Sequence, residues 1–265
     1  MPVLRDTHRQ RQTQSHYDTF PYEVGVRQSL VYESPHTLMG RFITEIKGGS
    51  ILDIGCGPGN LLAPLAQRGN RVWGLDLSWQ TLHLAVEHLH QSGQGSKVQL
   101  VQGSALVLPF ASGQFDRVFA VGSLHHTPNA RAGFSELCRV LNAEGRAYIA
   151  LYRKYSYYHV LYQTLGKIAR LCEKNRLLAL IINRLLILPL FLIYFVLGRW
   201  IIHRRLQIPR WQESLNYFAD QLLNPVVSFH TSAEIESWGH QTGMKISEIA
   251  TAHAGALLNI VICRP

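Results

Sequence analysis

Ile51-Leu-Asp-Ile-Gly-Cys-Gly-Pro-Gly-Asn60 decides how the rest of the chain is read. The short apolar run 50–54 predicts a buried strand that delivers Asp53 to its end. Gly55, Gly57 and Gly59 follow. Glycines let a backbone take positive φ and admit a ligand without Cβ collisions. A helix is predicted over 60–68, with free N–H groups in its first turn. A dinucleotide site would need G-x-G-x-x-G. Counting from Gly55 ends on Asn60 and counting from Gly57 ends on Leu62, so both registers fail. The carboxylate of Asp53, ahead of the turn, suits a ligand with a cationic amino-acid end and suits a diphosphate badly.

Working outward, a second strand over 71–75 runs into Asp76, 21 positions after Gly55. A carboxylate there can accept both hydroxyls of a ribose, and Leu77 beside it can cover an adenine face. A helix over 79–90, strands over 98–101 and 115–121, a helix over 129–141 and a strand over 146–151 follow, with Gly145 closing the last turn. Strands alternating with helices at this spacing predict an α/β fold with a doubly wound parallel sheet. Right-handed crossovers bring the carboxyl ends of its strands to one edge, where ligands bind.

Asp53-x-Gly55-x-Gly57-x-Gly59, with Asp76, then Leu108-Pro-Phe110 and Phe115-Asp116-x-Val118, resembles class I S-adenosylmethionine-dependent methyltransferases. The nearest flavour is the group containing ubiquinone- and menaquinone-biosynthesis and other small-molecule methyltransferases, and the likeness covers about 45–151. It implies a seven-stranded, mostly parallel Rossmann-like sheet with an antiparallel last strand and a helical insert. It also implies S-adenosylmethionine as cofactor, held by Asp53, Gly55, Cys56, Gly57, Gly59, Asp76, Leu77, Ser104, Ala105 and Gly122. One departure stands out. Relatives commonly carry an acidic residue after the third strand, where this chain has Gly103-Ser-Ala105. Ser104 and the Ala105 N–H are left to meet adenine.

After the fourth strand comes Val121-Gly-Ser-Leu-His-His126, at the place the fold assigns to the reacting methyl. His125 and His126 are candidates for general base or substrate orientation, since imidazole titrates near neutrality; pocket lining is the competing role. No Asn/Asp-Pro-Pro-aromatic tetrapeptide follows, which argues against exocyclic amines of nucleobases and against a nucleic-acid partner. The resemblance makes Tyr17, Phe20 and Tyr22 candidate lid residues, with packing of a terminal helix as the alternative. His230 is a further substrate-side candidate, with capping or surface placement competing.

Composition locates a second feature. Of the net charge of +9, the segment 151–212 carries +10, eleven Lys/Arg against Glu173, and the remainder is −1. In the same segment Tyr158, Leu161, Leu165, Ile168 and Cys172 fall at helical spacing, and 185–197 is free of charge. The longer run 177–197 contains Asn183, Arg184 and Pro189, and the strands after it must rejoin the same sheet, so a single membrane crossing is excluded. Basic flanks around an apolar run instead fit insertion at an anionic membrane surface. The competing arrangement buries those residues on the core or in a dimer.

The chain therefore divides into an N-terminal arm and lid helices (1–45), a cofactor-binding core (46–152), a basic apolar helical insert (153–218) and a C-terminal completion of the core (219–265). The four cysteines form no C-x-x-C pair, so neither a metal nor a disulfide framework is expected. No apolar signal opens the N-terminus, and the expected location is cytoplasmic, with a peripheral membrane position open. The sequence reads as a methyltransferase acting on a small apolar or lipid-derived acceptor. Two alternatives stay open: an RNA or other macromolecule methyltransferase anchored by the insert, and a non-catalytic cofactor-binding partner module. Oligomeric state is not legible.

Overall fold

Ser50–Ile54 (β1) is buried along its whole length, as a strand must be when helices cover both sheet faces. The computed structural model describes residues 2–19, 21, 36–172, 181, 184–185, 188–197 and 222–265. β1 pairs in parallel with Arg71–Asp76 (β2) and Phe115–Val121 (β4). Val98–Gln102 (β3) extends the sheet beyond β2, and Leu141–Tyr152 (β5) extends it beyond β4. Leu257–Cys263 (β7) lies antiparallel to both β5 and Lys245–Ala252 (β6), giving the order β3-β2-β1-β4-β5-β7-β6. This is the doubly wound, mostly parallel seven-stranded sheet expected.

Side-chain alternation along the strands divides the core. Ile51, Val72, Phe119, Tyr148 and Val261 pack with Leu38–Thr44 (α2), Leu62–Gln67 (α3) and Trp79–Gln91 (α4). Leu52, Ile54, Val118, Ile149 and Ile260 pack with Ala130–Val140 (α5) and Ser232–Thr242 (α9). Ser78 and Asn129 cap α4 and α5, accepting from Thr81 N at 3.1 Å and Ala132 N at 3.1 Å. Thr231 and Glu234 form a capping box on α9. Such caps satisfy backbone donors that have no intrahelical partner.

Two elements differ from expectation. β5 starts at Leu141, not at 146, because Leu141 pairs with Phe115 before the register jumps to Arg117 opposite Arg146. The intervening residues let Asn142 Nδ2 donate to Asp116 Oδ1 at 2.7 Å. The first helix of the insert is also not one amphipathic helix. It runs as Tyr157–Leu161 (α6), a π turn at Tyr162–Gly166 and Lys167–Cys172 (α7). A π turn takes an extra residue and rotates the apolar face. The buried side therefore passes through Tyr158, Tyr162 and Ala169, while Ile168, expected on that face, is 45% exposed.

Farther along, Leu188–Leu197 (α8) spans ten residues. Among the described residues no helix is long and apolar enough to cross a membrane. Phe20, Tyr22 and the stretch 198–218 lie outside the described residues. At the other end, Pro2–Thr19 (α1) lies against the carboxyl edge of the sheet, with Thr13 Oγ1 donating to the His126 carbonyl at 3.0 Å.

Candidate functional site

The glycine turn hangs between two strands. Gly55 and Cys56 N–H groups both donate to the Leu75 carbonyl, at 2.7 and 3.0 Å, which ties the turn to the end of β2. Gly57 N–H donates to Asp76 Oδ2 at 2.9 Å, and Ser78 N–H to Asp76 Oδ1 at 2.9 Å. One carboxylate thus holds both the turn and the start of α4. Gly55 has φ +75° and no room for a side chain, since a Cβ there would lie 2.3 Å from Ser123 Cβ. Gly57 has φ +55° and faces open space, with nothing within 4 Å of a Cβ. The turn is therefore tight behind and empty in front.

Asp53 ends β1 beside this opening and is buried. Among the described residues no hydrogen-bond donor reaches its carboxylate. Burial, and then the nearby Asp76, push its pKa up to about 7. A buried carboxylate without a partner is costly, and cationic ligands relieve that cost. The Asp76 carboxyl is also pushed up by burial, against the backbone donors of Ser78, Gly57 and Leu77, and Asp18 adds to the rise. Burial and the same two carboxylates raise the Cys56 thiol far above its usual range, so Cys56 stays protonated and serves the turn through its backbone.

The other sequence-named positions fall around this opening. Gly103 N–H donates to the Asp76 carbonyl at 2.9 Å, which draws the 103–105 turn to the end of β2. Ser104 Oγ accepts from Leu106 N at 3.1 Å, so its hydroxyl hydrogen is the part left for a ligand. Leu77 is half-buried next to Asp76, and Gly122, φ +76°, lies exposed after β4. The Leu108–Phe110 segment is held by Glu136, which accepts from Leu108 N at 2.7 Å, and by Arg139, which donates to the Leu108 and Phe110 carbonyls. Asp116 accepts from Ser50 N and Ser50 Oγ, both at 2.7 Å. Burial raises the Asp116 carboxyl, yet the Ser50 and Asn142 hydrogen bonds and Arg117 together hold it below the usual range. These two motif segments are scaffold.

His125 and His126 sit on the turn after β4, both buried. His125 lies 3.8 Å, ring to ring, from Tyr152, and His126 Nδ1 donates to the Val226 carbonyl at 3.1 Å. Burial first, then His126 and His230, keep His125 well below the usual imidazole range, so its ring is neutral. His230 is mostly buried, with Nε2 2.8 Å from Ser228 Oγ, and Thr231 rather than His230 caps α9. Tyr152, Tyr158, Tyr162 and Phe229 form an aromatic cluster beside His125.

Asp18 and Asn224 carried no sequence signal, whereas Tyr17 is among the lid candidates the sequence offers. Asp18 on α1 accepts from Ser78 Oγ at 2.6 Å. Tyr17 lies 5.9 Å from the His126 ring, and its hydroxyl accepts from Asn224 Nδ2 at 3.0 Å. Asn224 is fully buried, and its carbonyl accepts from Tyr162 OH at 2.7 Å. These contacts link residues 60 and 207 positions apart, beyond the reach of any local pattern.

A donor-less buried carboxylate, a second carboxylate at the end of the next strand and open space before Gly57 fit a ligand bearing a cation and a ribose diol. Asp53, Gly55, Gly57, Asp76, Leu77, the 103–105 turn and Gly122 are the residues that would hold it. Residues 51–145 match the family described as a methyltransferase domain. Methyltransferase GfsG of Streptomyces halstedii is 36% identical over 104 residues, 39% of this chain and 37% of that protein. A ubiquinone biosynthesis O-methyltransferase of an Azoarcus species is 35% identical over 115 residues, 39% of this chain and 49% of the relative. The chain thus matches about half or less of these relatives' length. A crystal structure of a Pyrococcus horikoshii protein shares the fold with a TM-score of 0.61, at 17% identity, over 95% of this chain and 99% of that one. The glycine turn and both strand-end carboxylates fall inside the stretch that matches a methyltransferase domain, and the sheet has the fold of the class I S-adenosylmethionine-dependent methyltransferases.

Proposed function

We propose that this chain transfers a methyl group from S-adenosylmethionine to a small apolar or lipid-derived acceptor. The observation that carries the reading is the pair Asp53 and Asp76 around the open side of the glycine turn, next to an acceptor side built from aromatic rings and a neutral imidazole. Bound S-adenosylmethionine supplies a methyl group on a sulfonium, an already activated electrophile. Asp53 takes the cationic amino-acid end, and Asp76 accepts the ribose hydroxyls. His125, buried and uncharged, lines the acceptor side with Tyr152 and holds the β4 turn in place. Tyr17 and α1 cover the site and exclude water, so alignment supplies most of the catalysis. The Azoarcus relative, named for ubiquinone biosynthesis, supports an acceptor of this class. Such an acceptor partitions into bilayers, and the protein meets it peripherally at a membrane surface.

The test supplies the protein with S-adenosylmethionine labelled in its methyl group and a cell extract, then separates organic-soluble from macromolecular products. Label in the organic-soluble fraction is expected. Label in RNA or protein would replace the small-molecule reading with a macromolecular one. Saturable cofactor binding with no label transferred would make the chain a non-catalytic binding module.

A pH dependence follows from Asp53. Its carboxyl ionises near pH 7, and only the ionised form attracts the cation. Cofactor affinity therefore rises as pH rises from about 5 towards 7, by up to about tenfold per unit, and levels off above. Stability of the cofactor-free protein runs oppositely. A pKa raised on folding contributes stability below about pH 4 that is lost as pH approaches 7. Calorimetric titrations across this range check the first trend, and Asp53→Asn flattens it.

A further inference from the structure

Large apolar side chains left in water are spread thinly over most of this chain, with one exception. Among the described residues twelve are exposed, and nine of them fall within 155–193. Tyr155, Tyr157, Leu185, Leu188, Leu192 and Ile193 are between 41% and 76% exposed. On α8, Leu188 and Leu192 are one turn apart and face outward, while Phe191 is completely buried. The helix therefore has an inner anchor and an outer greasy face. An exposed apolar group of this size marks a surface that something covers.

Charge identifies the occupant. Arg153, Lys167 and Arg184 are exposed in the same stretch of chain, and by sequence 151–212 carries +10 with Glu173 as its single acid. Arg170 belongs to a different role. Its guanidinium lies 3.9 Å over the Tyr162 ring and donates to the Leu222 and Tyr162 carbonyls, pinning the insert to the core. A second copy docking here would set Arg153, Lys167 and Arg184 against their own copies, which repels. A phosphate-binding face for RNA would be polar and would not present rows of Leu and Ile. Apolar side chains rimmed by Lys and Arg match a bilayer interface with anionic headgroups, where the aliphatic groups enter the acyl boundary and the cations meet the phosphates.

We infer that the exposed apolar side chains of Tyr155, Tyr157, Leu185, Leu188, Leu192 and Ile193 dock on an anionic lipid bilayer, which resting on the acceptor reading above would place the acceptor's reservoir beside the site. The surface needs no cofactor to bind, so its test stands apart from methyl transfer.

The experiment is flotation of the full chain with vesicles of phosphatidylcholine alone and with vesicles in which phosphatidylglycerol replaces part of it. Binding to the anionic vesicles is expected, falling steeply with added salt. Lys167→Gln and Arg184→Gln should each weaken it about fivefold, the loss of roughly one headgroup interaction. Leu185→Asp with Ile193→Asp should weaken it by more than about tenfold, because charge then enters the acyl boundary. All four positions are exposed, and unchanged S-adenosylmethionine binding by each variant certifies its fold. Equal binding to neutral vesicles, or none to either, would overturn the proposal. So would dimerisation that the two aspartates abolish, or RNA retention in the absence of vesicle binding. Failure of methyl transfer with vesicle binding intact would sink the acceptor reading and leave this surface standing.

Discussion

Asp76→Ala lowers affinity for S-adenosylmethionine by at least about a hundredfold, because each hydrogen bond to a charged acceptor is worth roughly 1.5–3 kcal/mol and the ribose offers two. The carboxylate also holds the Gly57 and Ser78 N–H groups at 2.9 Å each, so its removal frees the turn that faces the ligand as well. Calorimetric titration measures the loss. S-adenosylhomocysteine, which has the same ribose, should lose affinity in the same proportion. Asp76→Asn keeps one acceptor oxygen and falls between. A variant that binds within about threefold of the parent would remove Asp76 from the ribose.

The second large effect is on the protein itself. Gly55→Ala places a Cβ 2.3 Å from Ser123 Cβ, and no rotamer change relieves a clash between two β-carbons. The left-handed φ of +75° adds roughly 1–2 kcal/mol for a residue with a side chain. Overpacking adds a further 1–3 kcal/mol or so, against a total stability of about 5–15 kcal/mol. At about 2–4 °C per kcal/mol for a chain of this size, thermal unfolding should move down by roughly 5–20 °C. Ser123→Gly in the same chain opens the space and should recover the steric part while leaving the backbone strain. Gly57→Ala is the contrasting case. Its φ is also positive, but a Cβ there meets nothing within 4 Å. It should cost only the strain, about 1 kcal/mol, and instead reduce cofactor affinity by filling the ligand's space. Equal thermal losses at the two glycines would contradict a turn that is packed behind and open in front.

How far the sequence reaches depends on how far apart the interacting residues lie. The strand–turn–helix around Asp53, the placement of Asp76 one strand on and the order of elements from 50 to 152 are written locally. Apolar periodicity, glycines and caps act within a few residues of where they stand. The same holds for the basic character of 151–212, which is a property of composition. The start of β5 at Leu141 was hidden because its partner Phe115 is on another strand. Spacing alone does not locate the apolar face of the first insert helix, because a π turn at Tyr162–Gly166 breaks the 3.6-residue period.

The site divides in the same way. By itself the sequence determined that a glycine turn and two carboxylates meet at one sheet edge, since parallel strands with right-handed crossovers leave no other place for them. Tertiary structure alone decided that Asp53 is buried without a donor, that His125 is neutral against Tyr152, and that Asp18, Tyr17 and Asn224 tie the N-terminal helix across the opening. Burial and long-range hydrogen bonds come from what the rest of the chain folds against a residue. Neither has a period or a spacing to read.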